Sequence, residues 1–334
     1  MMLMAFLLTS AINIAQFTNV KVNDVKTIRS IHTFVDTATI KIPASARLQM
    51  AGPQTTDTIQ TAQQFNVGDK VVINLGYNGE NQKEFEGFIR RVNFTSPVEL
   101  ECEGYSWQLR SKSFQKTFTS IGLRDLLKYL CEGTDIVIHD SVVNTQLGKV
   151  ILQGKKSGPV TGIEVLTWLQ NQMHQFVFFQ FNTIYAGLEQ LKSETIIKYK
   201  LGWNTIKDND LKYHTPTDIA AKAVVTSGKK TGEFLQATAG DESGVVSILN
   251  LQEGLSQDYL QTAANELLKQ SQYKGYQGKI TAFLQPYSQH ADYAQVDDTR
   301  YPERAGTYFI ESCEVNFGRG GGRRIIGIGE NIAQ

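Results

Sequence analysis

Glu99, Glu101 and Glu103 occupy alternate positions, separated by Leu100 and Cys102. In a strand, successive side chains point to opposite faces, so the three carboxylates share one face. A pair of carboxylates can hydrolyse a glycosidic bond when the two acids flank it. No partner carboxylate is identifiable elsewhere in the sequence, so a solvated acidic face is expected. The five histidines, His32, His139, His174, His214 and His290, stand far apart, and none falls in a metal-binding HExxH or HxH spacing. Cys102, Cys131 and Cys313 form no CxxC and cannot all pair, so neither a disulfide scaffold nor a zinc site is expected. A reducing compartment is the default expectation. No GxSxG nucleophile turn occurs.

Two lysine loops imitate a phosphate-binding loop: Gly154-Lys155-Lys156-Ser157-Gly158 and Gly228-Lys229-Lys230-Thr231-Gly232. A phosphate loop needs GxxxxGK[ST], so that backbone N–H groups and one lysine converge on the phosphates. Here five residues lie between Gly148 and Gly154, and a second lysine replaces the Ser/Thr. Both loops are expected to be solvated hairpin tips. Gly318-Arg319-Gly320-Gly321-Gly322-Arg323-Arg324 has the composition of a nucleic-acid-binding RGG segment. Apolar strand residues flank it on both sides, and a glycine hairpin is the expected structure. No catalytic residue, cofactor or metal is assigned, and a non-enzymatic role is expected.

The elements that carry these residues follow from composition and periodicity. The chain has 334 residues, with Lys+Arg and Asp+Glu both 33 and a net charge of +0. That excludes the basic field of a protein that grips nucleic acid over much of its surface. The length suits two or three domains. Met1 to Ile14 is apolar, but no Lys or Arg precedes Lys21 and the run is short for a membrane span. A docked strand or short helix is expected there.

From Phe17 to about Trp107 the pattern is short strands. Ala38-Thr39-Ile40-Lys41-Ile42 alternates up to Pro43, Lys70 to Leu75 follows a Gly68-Asp69 turn, and Asn78-Gly79 signals a hairpin. Phe85–Phe94 and Val98–Glu103 follow as strands. The texture changes near Ser111. Ser120 is expected to cap a helix carrying Leu123, Leu126, Leu127 and Leu130, with Gly133 past its end. A second helix is expected from about Thr161 to His174, with Val165, Trp168, Leu169 and Met173 on one face, leading into the strand Phe176–Phe181. After about residue 216 the β-texture returns around one helix marked by Leu260, Ala263, Ala264, Leu267 and Leu268. Strands at Lys279–Leu284, Thr307–Phe317 and Arg324–Ile328 close the chain.

The expected fold is mainly β with an α+β insert: two small β-barrel domains and an inserted α/β domain. The expected divisions are 1–110, 111–214 and 215–334, with early strands at about 215–250 completing the first barrel. Gly87-Phe88-Ile89 then Val92-Asn93-Phe94 is echoed by Tyr308-Phe309-Ile310 then Val315-Asn316-Phe317, with two extra residues in the second copy.

The order of these segments resembles the baseplate hub proteins of contractile phage tails, the late-control-protein-D-like hubs related to the hub part of type VI secretion VgrG proteins. The resemblance spans about residues 14 to 330 and rests on Asp36 to Pro43, Gly68 to Ile73, Phe85 to Ile89, Gly162 to Leu169, Lys200 to Ile206 and Gly306 to Ile310. It departs at 286–304, where the family's Pro-Gly-Asp is missing, and no spike or lysozyme domain follows. The resemblance implies a stand-alone structural hub: a homotrimer with pseudo-sixfold symmetry that joins a hexameric tail tube protein to a trimeric central spike protein. A tape-measure protein is a further candidate partner. It also implies a place in the virion tail baseplate, assembled in the host cytoplasm, with no specific nucleic-acid binding and no small-molecule substrate. The Glu99, Glu101 and Glu103 face would then line the lumen. A surface glycan-binding β-protein and a tail-associated cell-wall hydrolase are the rival expectations.

Overall fold

A computed structural model of the chain describes residues 6–49, 56–154, 158–191, 193–208, 210–214, 221–228, 234–271 and 275–331. The tips of both lysine loops (155–157 and 229–233) and residues 1–5 lie outside the described residues.

The period-two segments become strands. The first group is β1 (Leu8–Ile14), β2 (Asp24–Ser30), β3 (Thr37–Ile42), β4 (Ser45–Gln49), β5 (Thr56–Gln60), β6 (Lys70–Tyr77), β7 (Glu80–Asn93) and β8 (Val98–Glu103). Along β3, buried Ala38, Ile40 and Ile42 alternate with half-buried Thr37, Thr39 and Lys41. The apolar N-terminal run docks as a strand: β1 lies antiparallel to β6, from Leu8 opposite Tyr77 to Ile14 opposite Val71. Asn78 and Gly79, with φ of 54° and 89°, make the two-residue turn between β6 and β7.

The middle of the chain contains α1 (Ser106–Arg110), β9 (Ser113–Phe114), β10 (Lys116–Phe118), α2 (Leu123–Cys131), β11 (Val137–Ile138), β12 (Val150–Leu152), β13 (Val160–Thr161), α3 (Gly162–Asn171), β14 (Phe176–Gln180) and β15 (Thr183–Gly187). The leucine stripe of α2 is buried as expected, but Ser120 does not cap it. Gly122 holds the N-cap position, and the Asn144 side chain accepts from the Asp125 N–H at 3.3 Å. A Cβ on residue 122 would collide with that asparagine, which is why glycine stands there. Thr161 caps α3 in a reciprocal box with Glu164.

The last part contains β16 (Ile196–Lys200), β17 (Thr205–Lys207), β18 (Lys212–His214), β19 (Ala221–Gly228), β20 (Phe234–Gly240), β21 (Val245–Leu251), α4 (Gln257–Ser271), β22 (Gly275–Ala282), β23 (Tyr293–Asp297), β24 (Gly306–Gly318) and β25 (Gly321–Asn331). The glycine-arginine segment is a hairpin turn, with Gly318 opposite Gly321.

A 13-stranded sheet runs through both ends of the chain. Its first half is ordered β1-β6-β7-β8-β3-β2, and its second half β16-β23-β24-β25-β22-β17, with β18 also on β22. Numbering the six strands of each half in chain order gives the same spatial sequence, 1-4-5-6-3-2, twice. Four of the five pairings are antiparallel in both halves; the exception is β16, which is parallel to β23 where β1 is antiparallel to β6. The echoing segments around Phe88 and Phe309 fall on β7 and β24, which hold the same place in the two halves.

No ladder closes either half into a barrel among the described residues. The connections bring the edges together instead. In the first half the Val20 N–H donates to Ile12 of β1, and Asn23, three residues on, donates to Lys41 of β3. In the second half only residues 201–204 link β16 at one edge to β17 at the other. Five residue steps span at most ~18 Å, which bounds the distance between the end of β16 and the start of β17.

The strands at 221–251 do not complete the first barrel: β20-β19-β21 pair with one another as a separate sheet, and α4 packs on them. Their buried Val225, Ala237 and Leu251 share a core with Leu126, Leu166 and Phe178 of the α+β unit. The physical reason is the apolar face of α4 (Leu260, Ala263 and Ala264), which needs a cover and finds it there. A second core fills both halves of the large sheet.

The turn leading into β6 recurs before β23, bond for bond. Gly68 N–H donates to Ile89 and Ile89 N–H to Asp69, at 2.8 and 2.9 Å; Ala291 donates to Ile310 and Ile310 to Asp292, at 2.8 and 2.9 Å. Asp69 Oδ2 accepts from the Asn66 N–H and Asp292 Oδ2 from the Gln289 N–H, both at 2.8 Å. Gly68 and Ala291 are both left-handed, with φ of 93° and 69°. The second copy therefore keeps the geometry of the Gly68-Asp69 turn with an alanine in the glycine's place. Ala291 carries a backbone strain of about 1 kcal/mol that Gly68 avoids. Gly68→Ala, where an added Cβ meets nothing within 4 Å, is expected to cost about 1 kcal/mol in urea unfolding. Ala291→Gly is expected to cost less than that or to stabilise.

Candidate functional site

The two halves meet where β2 pairs antiparallel with β24, from Asp24 opposite Gly318 to Ser30 opposite Ser312. Behind this seam lies a buried charged network. Arg324 of β25 makes a two-pronged pair with Glu84 of β7: Nη2 donates to Oε1 at 2.6 Å and Nη1 to Oε2 at 3.2 Å. Both side chains are fully buried. Arg324 also donates to the carbonyls of Leu284 and Ser288, at 3.1 and 2.7 Å. Arg29 of β2 lies 3.8 Å from Glu84 and donates to Gln289 Oε1 at 3.0 Å, with Phe181 of the α+β unit 5.0 Å beneath its guanidinium. One carboxylate thus ties together β7, the seam strand β2 and the second half.

A bulge puts Glu84 there. Ile73 stands opposite Phe85 and Asn74 opposite Lys83, so Glu84 is the extra residue on β7 and turns inward beside Phe85. Arg324 is on the core side of β25 with Ile326 and Ile328. The sequence puts it at the start of the expected Arg324–Ile328 strand, where the two-residue period running back from Ile328 is the signal for its burial.

His290 is buried beside the same network, with Nε2 2.7 Å from the Phe179 carbonyl and its ring edge-on to Phe178. Burial, and then the nearby Arg29 cation, push its pKa down to about 3. Asp36, just ahead of β3, is raised to about 8 by burial, against the pull of Arg29.

The acidic strand differs from a uniform solvated face. Glu99, Glu101 and Glu103 do share a side of β8, opposite buried Val98, Leu100 and Cys102. Glu99 and Glu101 are half-buried: Asn93 Nδ2 donates to both, at 3.3 and 2.8 Å, and Lys41 lies 3.6 Å from Glu99. Glu103 is fully buried because α1 folds over that end of the strand. It accepts from Arg110 and from Ser106 Oγ, each at 2.8 Å. Its role is to anchor the helix.

The other candidates do not converge. His32 lies 3.3 Å from Glu311, His139 Nδ1 accepts from the Ser141 N–H, and His174 and His214 are exposed. Among the described residues no three His, Cys, Asp or Glu side chains gather as metal ligands. The three cysteines are free and buried, and burial raises the Cys102 and Cys131 thiols.

No family model matches the chain, and no curated protein matches it by sequence. Solved structures do match its fold. A tail protein from Neisseria meningitidis MC58 is 13% identical, with a TM-score of 0.67 over 96% of each chain. The 43 kDa tail protein of prophage MuSo2 from Shewanella oneidensis is 12% identical, with a TM-score of 0.64 over 97% of this chain and 98% of that one. A component of the type VI secretion system from E. coli, described as similar in structure to T4 bacteriophage tail proteins, is 9% identical, with a TM-score of 0.59 over 96% of this chain and 76% of that one. The chain has the mainly β fold of these tail proteins.

Two outcomes test the network. Glu84→Gln leaves Arg29 and Arg324 without a counter-charge and is expected to cost about 3–5 kcal/mol in denaturant unfolding, whereas Glu84→Leu with both Arg29→Met and Arg324→Met recovers much of that loss. His290 stays neutral in the folded chain down to about pH 3, while in the unfolded chain it protonates below about pH 6.5. Its contribution to stability is therefore lost as pH falls from about 6.5 toward 3. His290→Gln, which keeps a donor for the Phe179 carbonyl, is expected to flatten the fall in melting temperature between pH 7 and pH 5.

Proposed function

We propose that this chain is the structural, non-enzymatic hub of a contractile phage tail baseplate or a related injection machine. In this reading it works as a homotrimer. Each chain supplies two halves of the same topology, so three copies present six similar units to a hexameric tail tube protein on one face. The other face meets a trimeric central spike protein, and a tape-measure protein is a further partner. The hub assembles in the host cytoplasm and ends in the virion tail.

The observation that carries this reading is the repeated strand order, 1-4-5-6-3-2, together with the matching turns at Gly68-Asp69 and Ala291-Asp292. A protein that meets sixfold and threefold partners on one axis needs two related surfaces per chain in a threefold assembly. The tail-protein fold of the matching structures supports the same reading.

Within such a ring, Glu99 and Glu101 are assigned to the lumen, where half-buried carboxylates repel a passing polyanion. Glu103 has no part in this, since Arg110 and Ser106 occupy it.

Light scattering of the purified chain is expected to give three times 37.3 kDa, and negative-stain images a ring with a central channel. A monomer at tens of micromolar, alone and with the cognate spike protein, would overturn the reading.

A further inference from the structure

The two halves are equivalent in topology but not in what fills their edges. One edge of β24 is taken by β25, and the other is shared: β23 pairs with Gly306–Phe309 and β2 with 312–318. The counterpart strand β7 has β8 on one edge over Phe88–Asn93 and β6 on the other over Glu80–Phe88. Beyond Phe88 the β6 edge receives only the Gly68-Asp69 turn at Ile89. Among the described residues no strand covers that edge from Arg90 onward, which is where β2 sits on the equivalent strand. The counterpart of β2 is β17, paired with β22 on one edge and with no strand on the other among the described residues.

We infer that β17 of one copy adds to the open Arg90–Asn93 edge of β7 in the next copy, repeating between chains the β2·β24 seam that exists within the chain. This rests on the trimeric reading and says which edges close the ring. A ring of six similar units needs the first-to-second junction and the second-to-first junction to be alike, and the first of these is visible. Side chains on the two free edges fit it. Ile206 on β17 is 42% exposed, and Phe94 just past β7 and Trp203 in the turn before β17 are 75% and 80% exposed, so apolar surface flanks both edges for the junction to cover. Arg90 and Arg91 are exposed on β7, and Asp208 and Asp210, which already pair with Arg300 and Lys207 at 3.0 and 3.3 Å, follow β17. The internal seam carries one such opposite-charge pair, Lys26 with Glu314 at 2.9 Å. Strand addition of this kind draws affinity from backbone hydrogen bonds and selectivity from the flanking side chains.

The test is a cysteine scan on the full chain. Ile206→Cys is combined in turn with Arg91→Cys, Val92→Cys, Asn93→Cys and Phe94→Cys, and each protein is oxidised and run on a denaturing gel. At least one combination is expected to give a band at three times the monomer mass, while every single variant stays at monomer mass. Lys26→Cys with Asn316→Cys, opposite each other in the internal seam, serves as the positive control: it should cross-link within one chain if folding and oxidation are intact. A trimer by light scattering with no cross-link in any combination overturns this edge pairing and leaves the trimer standing. Monomer mass with no cross-link overturns both.

Discussion

Glu84 is a carboxylate held between two buried guanidinium groups, and through them it links the two sheet halves that the β2·β24 ladder joins. Its bidentate bond to Arg324 links β7 to β25, and its approach to Arg29 brings in the seam strand. Burying three charges is costly unless every lone pair and proton finds a partner. The carbonyls of Leu284 and Ser288 supply those partners for Arg324, and the Gln289 side chain supplies one for Arg29, whose Nε and Nη2 make no hydrogen bond among the described residues. All three lie in the 284–289 segment that precedes the second Gly-Asp-like turn. The network therefore also positions that turn, and with it the start of β23.

Much of the fold was legible because the relevant pattern is local. Period two located β3, β6 and β8, Asn78-Gly79 gave the hairpin, and the Leu123–Leu130 stripe gave α2. What the sequence hid was decided by non-local geometry. Ser120 looked like a cap, but Asn144, distant in sequence, reaches the helix start because Gly122 leaves room. The strands at 221–251 looked like barrel strands, and the apolar face of α4 drew them into another layer.

The candidate site was legible only in part. The shared face of Glu99, Glu101 and Glu103 followed from spacing, whereas the burial of Glu103 depends on α1 folding over it, which no alternation reports. Glu84 was hidden more deeply. A bulge places it and Phe85 both inward, so the period that exposes a glutamate elsewhere on the strand fails at that residue. Arg324 lies one period before Ile326 at the start of the expected Arg324–Ile328 strand, and its glycine-rich neighbours read as the hairpin turn. The faint echo between residues 87–94 and 308–317 was more informative than its identity suggested. Its two copies fall on corresponding strands, and both lose their neighbour at the matching phenylalanine, Phe88 or Phe309.

The halves differ most at their first strands, and that difference has a use in a ring. β1 turns back into β2 through residues 15–23, whereas β16 runs on toward β17 through 201–204 and lies parallel to β23. The reversal exposes Trp203 at the turn of one half and has no equivalent in the other. Six identical units would present sixfold symmetry on both faces, which suits a tube but not a threefold spike. Two units that share strands four to six and differ at strand one would keep the sixfold likeness where the common strands dominate. They would break it to threefold where the first strands and their turns project. In the proposed assembly, the departure from exact duplication is therefore what lets one polypeptide serve both symmetries.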